Sequence, residues 1–251
     1  MFLHGLMRNR DCFAPLFPGV FGGARRRVYS VDQAGHGDSP RLDSYRVIDH
    51  LPGLVEFLRN KIDGPAVLYG HSMGAMLAAA LGAAHPELAR AVVMEDPPFQ
   101  TMGRRLAGTP LEAYFRAIQP CVGSGMAWRE LAAVRIGEQT VGQMREASQV
   151  RFMARCIAQV DPRVLEPVLQ SAWLDGYEPE EICGALRCPA LLLQSDPAAG
   201  GMLTDDDAAM AARQAGDLTL VRLAAGTAHQ AHWQDAAAVT RHLLAFLESL
   251  G

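Results

Sequence analysis

"AVLYGHSMGAMLAAALGAAH", residues 66–85, decides how the chain folds. "AVLY" is a short apolar run of the kind that forms a buried strand, and "MGAMLAAALGAAH" predicts a helix rich in small residues over 73–85. Between them stands "GHSMG", residues 70–74, a G-x-S-x-G sequence. On its own that pattern is weak. A strand before it and a helix after it give it meaning, because a serine at a sharp strand-to-helix turn has its hydroxyl pushed out of the sheet. Gly70 and Gly74 remove side chains that would collide in such a turn. The Met73 N–H then lies at a helix N-terminus, where it can face a developing oxyanion. Ser72 is the candidate nucleophile and Met73 the first candidate oxyanion donor.

Outward from this stretch, strand-like and helix-like segments alternate. "RVYSVD" (27–32), "RAVVME" (90–95), "ALLLQ" (190–194) and "DLTLVRL" (217–223) read as strands. "MFLHG" reads as a strand that starts at the first residue. "YRVIDHLPGLVEFLRNKI" (45–62) and "DAAAVTRHLLAFLESL" (235–250) read as amphipathic helices, the former despite Pro52. The pattern predicts an α/β fold with a mostly parallel, doubly wound sheet and helices on both faces. The rhythm stops over residues 97–187, which reads as an inserted helical cap between core segments 1–96 and 188–251. An insertion there lies over the carboxyl ends of the strands, where ligands bind in open α/β sheets. Phe99, Trp128 and Trp173 are the candidate substrate contacts in it, and packing inside the cap is their plainer role.

The bulk numbers narrow the class. With 251 residues the chain suits one α/β domain with an insertion. A formal charge of -4 gives no nucleic-acid footprint, and the run Arg25-Arg26-Arg27 reads as a solvated strand entry. Five cysteines, Cys12, Cys121, Cys156, Cys183 and Cys188, form no C-x-x-C pair. That favours free thiols in a reducing compartment. "MFLHGLMRNR" is not a signal peptide, and no apolar run has the length of a membrane span. A cytoplasmic protein acting on a small molecule is expected, with no nucleic-acid partner and no membrane; a homodimer is compatible with this.

A serine nucleophile needs a base. His229, in "AAGTAHQAHW" between the last strand and the last helix, returns to the carboxyl edge of the sheet, and His232 is its competitor. "LHGL" (3–6) supplies a loop whose Leu6 N–H can complete an oxyanion hole, with His4 anchoring the loop. "DQAGHGDS" (32–39) shapes the floor, with Asp32 and His36 structural. Three acids compete to orient the base. Glu95 and Asp96 end the apolar run "AVVMEDPPF" (91–99), and Asp196 follows the strand 190–194. For Asp96 the plainer role is a cap or hinge residue, and for Asp196 a turn residue bonding its own backbone. Asp205-Asp206-Asp207 after Thr204 reads as a helix N-terminus.

In "LHGL", "DQAGHGDS", "GHSMG", the insertion and "GTAHQAHW", in that order over nearly the whole chain, the sequence resembles the α/β-hydrolase superfamily. The resemblance implies an eight-stranded sheet in the full fold, a helical cap and a Ser–acid–His triad without metal or cofactor. Most members carry the acid after the strand that follows the cap, a position that falls here on Ala198, two residues after Asp196. A subset that includes haloalkane dehalogenases and coelenterazine luciferases moves it to the strand after the nucleophile helix, and "VVME" and "SDP" are similar to those chains. The resemblance thus implies Glu95 as the acid, with Asp196 and Asp96 as alternatives. Those relatives use an aspartate nucleophile; Ser72 departs from them and sets halide displacement aside. The expected activity is hydrolysis of an apolar carboxylic ester or lactone through an acyl-enzyme. The alternatives are hydrolysis of a carbon–carbon bond on the same fold, and a ligand receptor with little turnover.

Overall fold

The computed structural model describes residues 1–21, 26–103 and 105–251. Arg25 of the basic run therefore lies outside the described residues. The main sheet contains six strands: β1 (Phe2–Leu3), β2 (Ser30–Val31), β3 (Ala66–His71), β4 (Ala89–Glu95), β7 (Ala190–Gln194) and β8 (Leu218–Arg222). Their order is β2-β1-β3-β4-β7-β8, and every pairing is parallel. This is the expected α/β architecture. The strand predicted over 27–32 shortens to Ser30–Val31 at the sheet edge. A separate antiparallel hairpin, β5 (Arg135–Ile136) with β6 (Gln139–Thr140), sits inside the insertion, which is therefore not purely helical.

Strand alternation builds two cores, because successive side chains point to opposite faces. Leu68, Val92, Met94 and Leu192 join the core on one face. Tyr69, Ala91, Val93, Leu191 and Leu193 join the core on the other. Helix α1 (Leu51–Lys61) and helix α2 (Met73–Ala84) pack on the first face. Val239, Leu243 and Phe246 of the C-terminal helix, Ala236–Ser249, pack on the second. Burying one such aliphatic or aromatic side chain contributes roughly 1.5–3 kcal/mol. Helix α1 begins at Leu51 rather than near Tyr45, preceded by a 3-10 turn over Val47–His50. Pro52 explains the shift, since a residue without an N–H is tolerated only in the first helical turn.

The insertion carries α3 (Pro110–Ile118), α4 (Trp128–Ala133) and α5 (Ala147–Ile157). Helix α6 (Pro179–Ala185), within the stretch predicted as cap, instead joins the core layer. The Tyr177 hydroxyl before it donates to the Met76 carbonyl of α2 at 3.0 Å. The Gln214 amide of the next helix, α7 (Asp205–Gln214), donates to Glu180 at 2.6 Å. All five cysteines are free and buried. No helix among the described residues is long and apolar enough to cross a membrane.

Candidate active site

The turn after β3 is built by its glycines. A Cβ on Gly70 would collide with the Gly74 carbonyl, and one on Gly74 with the Leu3 carbonyl of β1. Backbone atoms block both sites, so no side-chain movement relieves either clash. The close approach forces Ser72 to φ 56° and ψ -121°, a conformation an L-residue rarely adopts. A hydrogen bond from the Ser72 N–H to the Glu95 carbonyl, 2.9 Å, fastens the turn to the end of β4. Ser72 is buried, and its hydroxyl is not spent on any hydrogen bond among the described residues.

Beside it runs the loop after β1. Its conformation is fixed by two neutral histidines. His4 Nδ1 donates to the Gly5 carbonyl at 2.8 Å, and its Nε2 accepts from the Gln33 N–H at 3.1 Å. His36 Nε2 accepts from the Met7 N–H at 3.1 Å, while its Nδ1 donates to the Ala34 carbonyl. Burial, with His36 next, holds His4 well below the usual imidazole range, and burial brings His36 to about 4. Each ring is thus one donor and one acceptor. Asp32 is tied to Arg10 at 2.7 Å, away from Ser72. With the Met7 amide taken, the N–H groups of Leu6 and Met73 have no partner among the described residues.

The loop between β8 and the C-terminal helix brings in His229. Its Nδ1 lies 2.6 Å from Asp96 Oδ2. The same carboxylate accepts from the backbone amides of Met202 (2.7 Å), Leu203 (3.2 Å) and Ser195 (3.3 Å), and Asp96 is fully buried. Four donors therefore converge on it from two other segments of the chain. With its proton on Nδ1, the imidazole keeps Nε2 as an acceptor. The His229 side chain is 18 % exposed, so the ring is open on one side.

The expected pairing of Glu95 with His229 is corrected here. Glu95 ends β4 on the same side as Ala91 and Val93, which places its carboxylate in the opposite core. There Glu95 Oε1 accepts from His232 Nδ1 at 2.8 Å and from the His232 N–H at 3.0 Å, and Oε2 accepts from the Tyr69 hydroxyl. His232 Nε2 meets Cys12 Sγ at 3.1 Å. Burial is the largest influence on His232 and lowers it, but the Glu95 carboxylate and Cys12 together outweigh it and raise the imidazole to about 10. Asp96, one residue on, leaves the strand with φ 48° and turns its side chain towards His229.

Asp196 is also excluded from the His229 contact. It caps the short turn Pro197–Ala199, accepting from Ala198 N–H at 2.9 Å and Gly226 N–H at 2.8 Å. Asp207, from the acidic run, is bonded to Arg105 and lies in the first turn of α7.

Among the described residues, His71, Glu95 and His232 form a group whose ligating atoms lie within 4.8 Å of one another. Glu95 and His232 already satisfy each other as a buried ion pair. His71 Nε2 donates to the His229 carbonyl at 2.8 Å, and burial, followed by His229 and His232, holds its ring well below the usual range. The cluster clamps the 229–232 loop.

None of the three expected substrate contacts lines the crevice next to Gln230. Phe99 and Trp173 are fully buried in the main core. Trp128 lies under the guanidinium groups of Arg129 and Arg151, at 4.7 and 4.0 Å from the ring centre. Phe152 and Met153 of α5, Trp233 and Gln230, the neighbour of His229 in sequence, line a tight crevice of about 10 Å³. None of these carries a motif; only the fold brings them together.

A family model described as "Alpha/beta hydrolase family" matches residues 1–242. The chain is 34% identical over 97 residues to 2-(acetamidomethylene)succinate hydrolase of Mesorhizobium japonicum, covering 38% of this chain and 34% of that protein. It is 37% identical over 79 residues to lipase LipV of Mycobacterium tuberculosis, covering 32% and 30%. The matches thus span about a third of the length of these relatives. Among solved structures, E-2-(acetamidomethylene)succinate hydrolase superposes with a TM-score of 0.74 at 21% identity, covering 98% of this chain and 90% of that one. The enol-lactonase of Burkholderia xenovorans LB400 superposes with a TM-score of 0.72 at 16% identity, with the same coverage. At these identities the superpositions show the fold.

Proposed function

The chain belongs to the α/β hydrolase family, and from that premise we propose that it is a serine hydrolase cleaving a carboxylic ester or lactone through a Ser72–His229–Asp96 triad. The observation that carries the reading is the 2.6 Å contact of His229 Nδ1 with a carboxylate anchored by three backbone amides. An anchored carboxylate fixes the imidazole tautomer and stabilises the imidazolium formed during catalysis. His229 Nε2 takes the proton of Ser72 as Oγ attacks the carbonyl. The Leu6 and Met73 N–H groups hold the oxyanion. The imidazolium then protonates the leaving alcohol, and water repeats the cycle on the acyl-enzyme. Relatives named as an esterase and a lipase support this class of chemistry.

The test is Ser72→Ala assayed on short p-nitrophenyl esters beside the parent. The expected result is a loss of about a millionfold in kcat, the scale on which triad members act. Equal turnover by the two proteins would reject the mechanism.

A further inference from the structure

Arg8 stands apart among the charged groups of this molecule. It is buried, 8% exposed, and follows Leu6 and Met7 of the loop beside Ser72. The buried acids all have basic partners. Glu95 is paired with His232, Asp96 faces His229, Asp161 is paired with Arg163, and Asp207 with Arg105. Arg8 has no carboxylate partner among the described residues. Its contacts are to neutral acceptors. Nη1 donates to the Met7 carbonyl at 3.1 Å. In the amide orientation that satisfies its neighbours, the Gln230 oxygen accepts from Nη2 at 2.7 Å and from Nε at 3.0 Å. A guanidinium has five N–H donors, so two remain, one on each terminal nitrogen.

Holding an uncompensated cation this deep is costly, and such groups are ordinarily paired. A guanidinium with N–H donors to spare is suited to a carboxylate. Arg8 lines a tight crevice of about 10 Å³ with Arg145 from the insertion and with Gln230, the residue that follows His229. Arg145 is half-buried and also has no acidic partner; its guanidinium lies 5.9 Å from the Tyr114 ring centre. Two cations without acidic partners thus meet beside Phe152, Met153 and Trp233, between the loop after β1 and α5.

We infer that the substrate carries a carboxylate in addition to the scissile carbonyl, and that Arg8, aided by Arg145, is the group that recognises it. The inference rests on the hydrolase reading above and narrows its substrate class to anionic esters or lactones with a short apolar spacer.

The experiment uses two matched ester pairs on the full chain, with spontaneous hydrolysis subtracted. Mono-4-nitrophenyl glutarate against 4-nitrophenyl valerate places the carboxylate on the acyl side. 4-Acetoxybenzoate against phenyl acetate places it on the alcohol side. The expected result is a kcat/KM preference of roughly ten- to a hundredfold for the carboxylate member of at least one pair, the scale of a hydrogen-bonded charge contact. That preference should fall at least tenfold in Arg8→Gln, partly in Arg8→Lys, and severalfold in Arg145→Gln. Glutarate should also inhibit the parent competitively, and less so at high salt. Turnover of the neutral esters with no preference in either pair and no inhibition by glutarate overturns the inference and leaves the hydrolase reading standing. No turnover of any of the four esters by the folded parent removes both. The parent's preference and glutarate inhibition decide the matter even if Arg8→Gln does not fold.

Discussion

Asp96 leaves β4 at φ 48° and is fully buried, while the residue before it, Glu95, is equally buried but faces the other side of the sheet. Two adjacent carboxylates thus end up in different surroundings. Glu95 holds His232 in an ion pair away from solvent, and removing one partner of such a pair leaves a buried charge uncompensated. Glu95→Gln should therefore destabilise the protein by about 3–5 kcal/mol, measured by urea unfolding. A loss under about 1 kcal/mol would show that His232 is not held as a cation. The sequence marks both acids as unusual at the end of an apolar run. It does not reveal which one turns towards the base. That depends on the backbone angle at a single residue and on amides of Ser195, Met202 and Leu203, about a hundred positions away. The same distance hides Arg8, whose meaning comes only from the acids that are not near it.

At the scale of elements, the strand–turn–helix unit over residues 66–84 is the part most legible in sequence. Its glycine spacing states a steric requirement that the fold obeys: Gly70 faces the Gly74 carbonyl and Gly74 faces the Leu3 carbonyl. Gly74→Ala should destabilise at or above the upper end of the roughly 1–3 kcal/mol usual for overpacking, since its neighbours are backbone. Gly216→Ala, which meets nothing within 4 Å, should leave the unfolding midpoint within a degree or two. Equal midpoints for both variants would contradict the packing described for the turn. The insertion is less legible. Its helices α3 to α5 follow the expected break in rhythm, but α6 belongs to the core because Tyr177 and Glu180 reach α2 and α7. Composition alone does not separate a helix that packs over the sheet from one that packs beside it.

At the scale of the whole molecule, the parallel sheet follows from apolar runs separated by helical segments, which is why its parallel architecture could be anticipated. The histidines add a property that no pattern announces. Burial lowers His4 and His71 well below their ordinary range, His36 to about 4 and His50 to about 3. In the unfolded chain each would take a proton near pH 6.5. Because the folded values are depressed, their contribution is complete above pH 6.5 and is lost as pH falls towards 4 and 3. His232, raised instead, stays protonated in both states below pH 6.5 and leaves this arm unchanged. The unfolding free energy should therefore drop steeply between pH 6.5 and 4, and calorimetry across that range checks it. A flat profile would mean that the histidine pocket opens to water.

The triad assignment is tested most directly by kcat on a neutral p-nitrophenyl ester for Asp96→Asn and Glu95→Gln, each confirmed folded by circular dichroism. The account predicts a drop of about ten-thousandfold for Asp96→Asn, the scale expected when the base loses its anchored carboxylate, and a far smaller drop for folded Glu95→Gln. A near-parental rate for Asp96→Asn beside an inactive, folded Glu95→Gln would contradict it.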